Sequence, residues 1–214
     1  MTTQSRTKAD AILSPTDPIF RPYVAALGQL ALAWNGLHET LCLLFCTVME
    51  AEAINQYAAI WHALKADRAQ REMLAAATES TTRGALPLTF QADVKWLCGR
   101  VDALEDLRND ALHSPYWAFV RGFNDIVVMP NINLGHVRAK KLLAKNLLAE
   151  FRGCRDSAIL LSRFAWQMDC ALSDYTQPWP DRPALPNRPG TNERKRRPQE
   201  SKAKRLRPPR SSQA

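Results

Sequence analysis

Apolar residues recur three and four positions apart through Leu27, Leu30, Trp34, Leu37, Leu41, Leu44 and Val48, a spacing that puts them on one face of a helix. A loop rich in turn residues, Ser14-Pro15-Thr16-Asp17-Pro18, precedes them. The pattern predicts a second helix from about Ala53 to Ala77, with Tyr57, Trp61 and Leu64 on one stripe, and then a loop through Ser80-Thr81-Thr82-Arg83-Gly84-Ala85-Leu86-Pro87. A third helix carries Phe90, Val94, Leu97, Val101, Leu104 and Ala111 and must end near Ser114, because Pro115 disfavours helical geometry in the residue before it. Two β-favouring runs, Tyr116 to Val120 and Asp125 to Met129, flank Arg121-Gly122-Phe123-Asn124 and predict a hairpin. The last helix, Asn146 to Asp174, repeats the three-four spacing through Leu147, Phe151, Cys154, Ala158, Leu161, Ala165, Met168 and Leu172. Four long helices around one core predict an all-α, up-and-down four-helix bundle, with a short β-hairpin between the third and fourth.

The 214 residues suffice for one domain and an appendage. Residues 1–17 are expected to be a flexible N-terminus and 18–175 the helical domain. The net charge of +8 invites a nucleic-acid reading until it is located: from Thr176 to Ala214 there are 11 Lys or Arg against 3 Asp or Glu, while the other 175 residues hold 18 of each. The predicted body is therefore neutral. Prolines at 178, 180, 183, 186, 189, 198, 208 and 209, with almost no large apolar residue after Leu185, predict a disordered tail over 176–214. Its basic residues Arg194, Lys195, Arg196, Arg197, Lys202, Lys204, Arg205 and Arg207 are candidates for sequence-independent contact with nucleic acid.

Met1 to Asp10 lack the apolar core of a secretion signal, and Gln29, Asn35, His38 and Glu39 interrupt the most apolar stretch, Leu27 to Met49. The expectation is a cytoplasmic protein without a membrane span. Five cysteines, at 42, 46, 98, 154 and 170, form no Cys-x-x-Cys pair and mostly follow the apolar patterns, as reduced core residues do. His38, Cys42 and Cys46 share one helical face, but no fourth ligand accompanies them, so packing is the better reading and neither metal nor cofactor is expected. A Gly-rich phosphate loop, a Walker-type lysine, His-Glu-x-x-His and a serine nucleophile elbow are all missing from the sequence, which argues against nucleotide hydrolysis and the common hydrolase mechanisms.

Several charged residues fall where the pattern predicts core. On the second helix, the stripe runs from Leu64 into Arg68 and Arg71, and Ile60 leads to Asp67. Buried charge must be paired, so Asp67 with Arg71, or either with another helix, should form an ion pair or line a wet cleft. Asn35, His38 and Glu39 make a similar polar island on the first helix. On the third, Arg108 follows Leu104 by one turn and needs an anion: Glu39, Asp67 or Glu105 within the chain, or a phosphate from outside it. His113, five residues further, lies about 140° round a regular helix. For the two to converge, the last turn must loosen, or the side chains must reach a cleft from its two edges, or a second copy must complete the site.

Arg108-Asn109-x-x-x-His113 at the end of a helix resembles the motif of the HEPN superfamily, an Arg separated from a His by four to six residues. Ala33-Trp34-Asn35-Gly36-Leu37-His38-Glu39 and Asp67-Arg68-Ala69-Gln70-Arg71-Glu72 also resemble uncharacterised bacterial relatives of that group, and the likeness spans about residues 20 to 174. It implies a HEPN-like bundle that dimerises and acts as a metal-independent endoribonuclease, in a toxin or phage-defence setting with an antitoxin or regulatory partner. Many members instead serve as non-catalytic binding modules. Carried onto this chain, the resemblance makes His113 the general acid or base, Arg108 the grip on the scissile phosphate and Asn109 the orienting group, with Glu39, Asp67 and Arg68 in support. Histidine titrates near neutrality and arginine stays charged, which suits both roles. Capping of the helix dipole is the alternative account of a terminal histidine, and the company of Arg108 and Asn109 tips the reading toward catalysis or phosphate binding.

Overall fold

A computed structural model describes residues 16–81, 86–121, 125–133 and 135–186. These residues are mostly helical: α1 (Arg21–Val48), α2 (Ile54–Ala63), α3 (Asp67–Ser80), α4 (Phe90–Leu112), α5 (Val137–Leu142) and α6 (Leu147–Ser173), with strands β1 (Tyr116–Arg121) and β2 (Asp125–Pro130) between α4 and α5. Residues 1–15, the centre of the loop after α3 and the basic tail from 187 onward, with Arg194 to Arg197 and Lys202, Lys204, Arg205 and Arg207, lie outside the described residues.

The long amphipathic stripes form the core. In α1, Leu30, Leu37, Leu41 and Leu44 are sealed, as is Trp34, and α1 packs most extensively on α6, whose Ala158, Leu161, Ala165 and Met168 are equally inaccessible. The α4 stripe from Phe90 to Ala111 is buried against α3 and α6. Asn146 caps α6 by accepting a bond from the Ala149 amide at 3.1 Å. The helix thus starts where a side-chain oxygen satisfies one of its unpaired N–H groups. By length and composition α1 qualifies as a membrane-crossing helix, with half of its most apolar window buried inside the protein.

The hairpin forms as predicted, β1 pairing antiparallel with β2 from Tyr116↔Pro130 to Arg121↔Asp125. Val128 turns into the core with Tyr116 and Ala118 beside it, whereas Trp117 and Phe119, on the opposite face, stack with ring centroids 6.4 Å apart.

Three features depart from the sequence pattern. The predicted helix from Ala53 to Ala77 is two helices: Leu64 and Ala66 are extended, with ψ of 123° and 125°. The break explains why charges fell on the stripe, because α3 starts a new phase at Asp67. Its acidic residue sits in the first turn, where the helix dipole favours it. The six-residue α5 is too short to show a period. Finally, residues 176–186, assigned to the tail by their prolines, pack on the body: Trp179 meets Phe90 edge-on at 5.8 Å, and its indole N–H donates to Asp93 at 2.8 Å. Arg182 donates to the same carboxylate at 2.6 Å. A large indole and one buried carboxylate hold a segment that lacks helical or strand pairing.

Candidate functional site

The break between α2 and α3 creates a concave surface. Trp34, Asn35, His38 and Glu39 of α1, Trp61 and His62 of α2, Asp67 and Gln70 of α3 and Arg108 of α4 line a cleft of about 260 Å³. The polar island of the first helix, the misplaced charge of the second and the arginine of the third thus meet in one place.

Its floor is a defined hydrogen-bond network. The Gln70 amide donates to the Trp61 carbonyl at 3.1 Å, which leaves Gln70 Oε1 as the acceptor facing His38 Nδ1 at 3.0 Å. The network therefore assigns the proton to Nδ1 and leaves Nε2 as the lone pair. That Nε2 is buried without a hydrogen-bond partner, 3.8 Å from Asp67 Oδ2, and the same carboxylate oxygen accepts from Trp34 Nε1 at 2.9 Å. Burial holds the His38 imidazole below its ordinary pKa, against the opposing pull of Asp67 and Gln70. His38 is a neutral structural linker.

Arg108 lies over Trp34, its guanidinium carbon 5.2 Å from the ring centroid, and donates from Nη1 to Asn109 Oδ1 at 2.7 Å. Its Nε is buried and unpartnered, and among the described residues it forms no salt bridge, although Glu39 and Asp67 line the same cleft. Glu105, another expected partner, is taken by Arg71. That side chain is 1% exposed and pairs with Glu105 and with Asp102, the latter at 2.7 Å. The buried ion pair expected of helix two exists, then, but it joins Arg71 to α4 rather than to Asp67. Arg68 points elsewhere, exposed and paired with Glu72 at 3.0 Å.

His113 is the C-cap of α4, exposed, and is not among the residues that line the cleft. Its backbone N–H bonds to the Asn109 carbonyl at 3.1 Å, so the last turn stays closed and does not swing His113 toward Arg108. The surrounding turn is braced: Asp110 pairs with Lys141 at 3.1 Å and Arg138 at 3.5 Å, Ser114 donates to the Asp110 carbonyl and Tyr116 to that of Ala111, each at 2.6 Å.

His62 and Gln70 were not singled out by the sequence. Asp67-x-x-Gln70 has the form of a helix-start signature and could have revealed the break that brings both into place. The histidine–cysteine face on α1 is packed: Cys42 and Cys46 are buried, and burial pushes the Cys42 thiol up to about 12. Among the described residues there is no group of three or more His, Cys, Asp or Glu side chains arranged to hold a metal ion. No protein family, curated protein or solved structure matches the chain.

Proposed function

We propose that this chain is a HEPN-like helical bundle that cleaves RNA without a metal, as a homodimer, with the α4 terminus as its working end. In this reading Arg108 grips the scissile phosphate, Asn109 fixes the guanidinium by accepting from Nη1, and His113 moves a proton to or from the ribose–phosphate. The observation that carries it is Arg108 itself: a guanidinium held against Trp34 in an open cleft, with no carboxylate paired to it among the described residues. A purely structural arginine looks like Arg71, ion-paired to two carboxylates through Nε and Nη2 although its Nη1 has no hydrogen-bond partner. With α4 regular to Leu112, Arg108 and His113 of one chain diverge, so the reading places His113 of a second copy opposite Arg108. The basic tail would concentrate RNA on a neutral body, and a cytoplasmic toxin or phage-defence setting, with an antitoxin or regulatory partner, follows from the same resemblance.

The competing reading is a non-catalytic module in which Arg108, Glu39 and Asp67 neutralise one another. The observed pairs weigh against it: Asp67 faces Trp34 and His38, and Glu39 faces His62. The test is incubation of wild type, Arg108→Ala and His113→Ala with mixed RNA in chelator, alongside sedimentation of each variant. Cleavage by the wild type alone, with all three dimeric, is expected. Equal cleavage by His113→Ala would refute the enzyme reading.

A further inference from the structure

Cleaving RNA through its 2′-hydroxyl needs two proton movements. A base takes the proton from the 2′-oxygen as that oxygen forms its bond to phosphorus, and an acid gives one to the 5′-oxygen as its bond to phosphorus breaks. The products, a 2′,3′-cyclic phosphate and a 5′-hydroxyl, balance with no other reactant. Arginine stays charged throughout, so Arg108 cannot serve either step. His113 can serve one.

Two of the chain's four histidines line the cleft with Arg108. His38 is unsuited to proton exchange with a substrate, since Nδ1 is engaged by Gln70 and Nε2 is sealed from solvent. His62 is different. Its side chain is 50% exposed at the mouth of the cleft, and its Nε2 stands 3.8 Å from Glu39 Oε2. A carboxylate on that side favours the proton on Nε2 and leaves Nδ1 with a free lone pair.

The wall of the cleft also carries unpaired polar atoms. His38 Nε2, Trp61 Nε1 and Arg108 Nε are three of the five buried side-chain polar atoms without a partner among the described residues, and all three belong to residues that line it. Native proteins leave few such groups, and all three are sealed from solvent behind the cleft wall rather than open to an occupant.

We infer that His62, with Glu39 beside it, is the base for the 2′-hydroxyl in the Arg108 site, and that it acts in the same chain as Arg108. The inference rests on the ribonuclease reading above and adds to it. His113 then has the acid's task at the 5′-oxygen. Glu39 is a positioning residue, Asp67 and His38 form the wall behind Trp34, and no other titratable side chain lines the cleft among the described residues.

The test uses the full-length protein and two measurements. In the first, the imidazole signals of His62 and the Nε–H signal of Arg108 are followed by NMR as a dinucleotide lacking the 2′-hydroxyl is added. Both should move. In the second, His62→Ala should lower kcat about 100-fold with KM within threefold, and added imidazole should restore part of the rate, because a free base can enter the open mouth. Glu39→Gln should lower kcat and shift the His62 nitrogen signals toward the other tautomer. Movement of Arg108 without His62, or wild-type cleavage by His62→Ala, overturns the inference and leaves the ribonuclease reading standing. If the Arg108 signal does not move, or the wild type binds the dinucleotide yet cuts no RNA, the ribonuclease reading fails and this inference falls with it.

Discussion

Replacing Arg71 and Arg108 separately with alanine should give two different outcomes, because the two arginines, on the neighbouring helices α3 and α4, differ in their partners. Arg71 is 1% exposed and bound to Asp102 and Glu105. Its removal strands Glu105, whose side chain is only 26% exposed, whereas Asp102, at 50%, can take on water. Breaking a buried pair from one side costs about 3 to 5 kcal/mol, and the ease of hydrating Asp102 points to the lower end, about 3 kcal/mol. Arg108 loses a contact with Trp34 worth about 1 kcal/mol and a bond to Asn109 of about the same size. Eliminating its unpartnered buried Nε offsets much of this, for a net cost of about 1 kcal/mol. Urea unfolding measures both: with a slope of about 2 kcal/mol per molar, Arg71→Ala should lower the midpoint by roughly 1.5 M and Arg108→Ala by roughly 0.5 M. A loss for Arg108→Ala as large as that for Arg71→Ala would show that Arg108 is a structural ion pair, and would remove the main support for a phosphate grip.

Two further outcomes follow from buried carboxylates. Asp169 is 9% exposed with Oδ1 unpartnered, and burial raises its pKa above the ordinary carboxylate value despite a bond from Thr47. The folded state then binds more protons than the unfolded one, so the group's stabilising contribution is lost as pH rises through the folded value. At pH 7 Asp169→Asn should stabilise the protein by about 1 kcal/mol, an advantage that disappears on acidification through the raised value; equal stability of the two at pH 7 would contradict this. For Asp93, burial pushes upward but the bonds from Trp179 and Arg182 prevail and hold its pKa below the ordinary value. That stabilisation is present above the unfolded pKa and lost as pH falls through the lowered one, so residues 176–186 should detach only in strong acid. At neutral pH, Asp93→Asn should weaken their docking by about 2 kcal/mol and move the Trp179 indole N–H signal toward its solvent-exposed position; an unmoved signal would show that packing on Phe90 suffices.

Much of the architecture was readable without coordinates. The stripes from Leu30 to Val48, Phe90 to Ala111 and Leu147 to Leu172 are sealed where their three-four spacing put them. Pro115 marked the end of α4, and the runs on either side of residues 121–124 became the hairpin. Spacing of this kind is a local property, since the side chains of one helix face the same way whatever they meet. The location of the net charge was likewise fixed by counting.

What the sequence could not supply was the meeting of elements. No proline or glycine marks the extended stretch at Leu64 to Ala66, and beyond the helix-start form of Asp67-x-x-Gln70 nothing local announces it; it emerges when α2 and α3 must each pack against the core. Likewise the proline-rich segment after α6 looked unable to fold, yet Asp93, 86 residues from Trp179, offers its indole a buried acceptor. The Arg108 to His113 motif shows the division most clearly. Its string of residues was legible, and regular helix geometry already separated the two side chains. Only the tertiary structure decided that Arg108 turns into a cleft with His62, Glu39, Asp67 and His38, while His113 faces outward from the helix end. That choice depends on long-range packing of α1, α2 and α3 around α4, which no local pattern encodes.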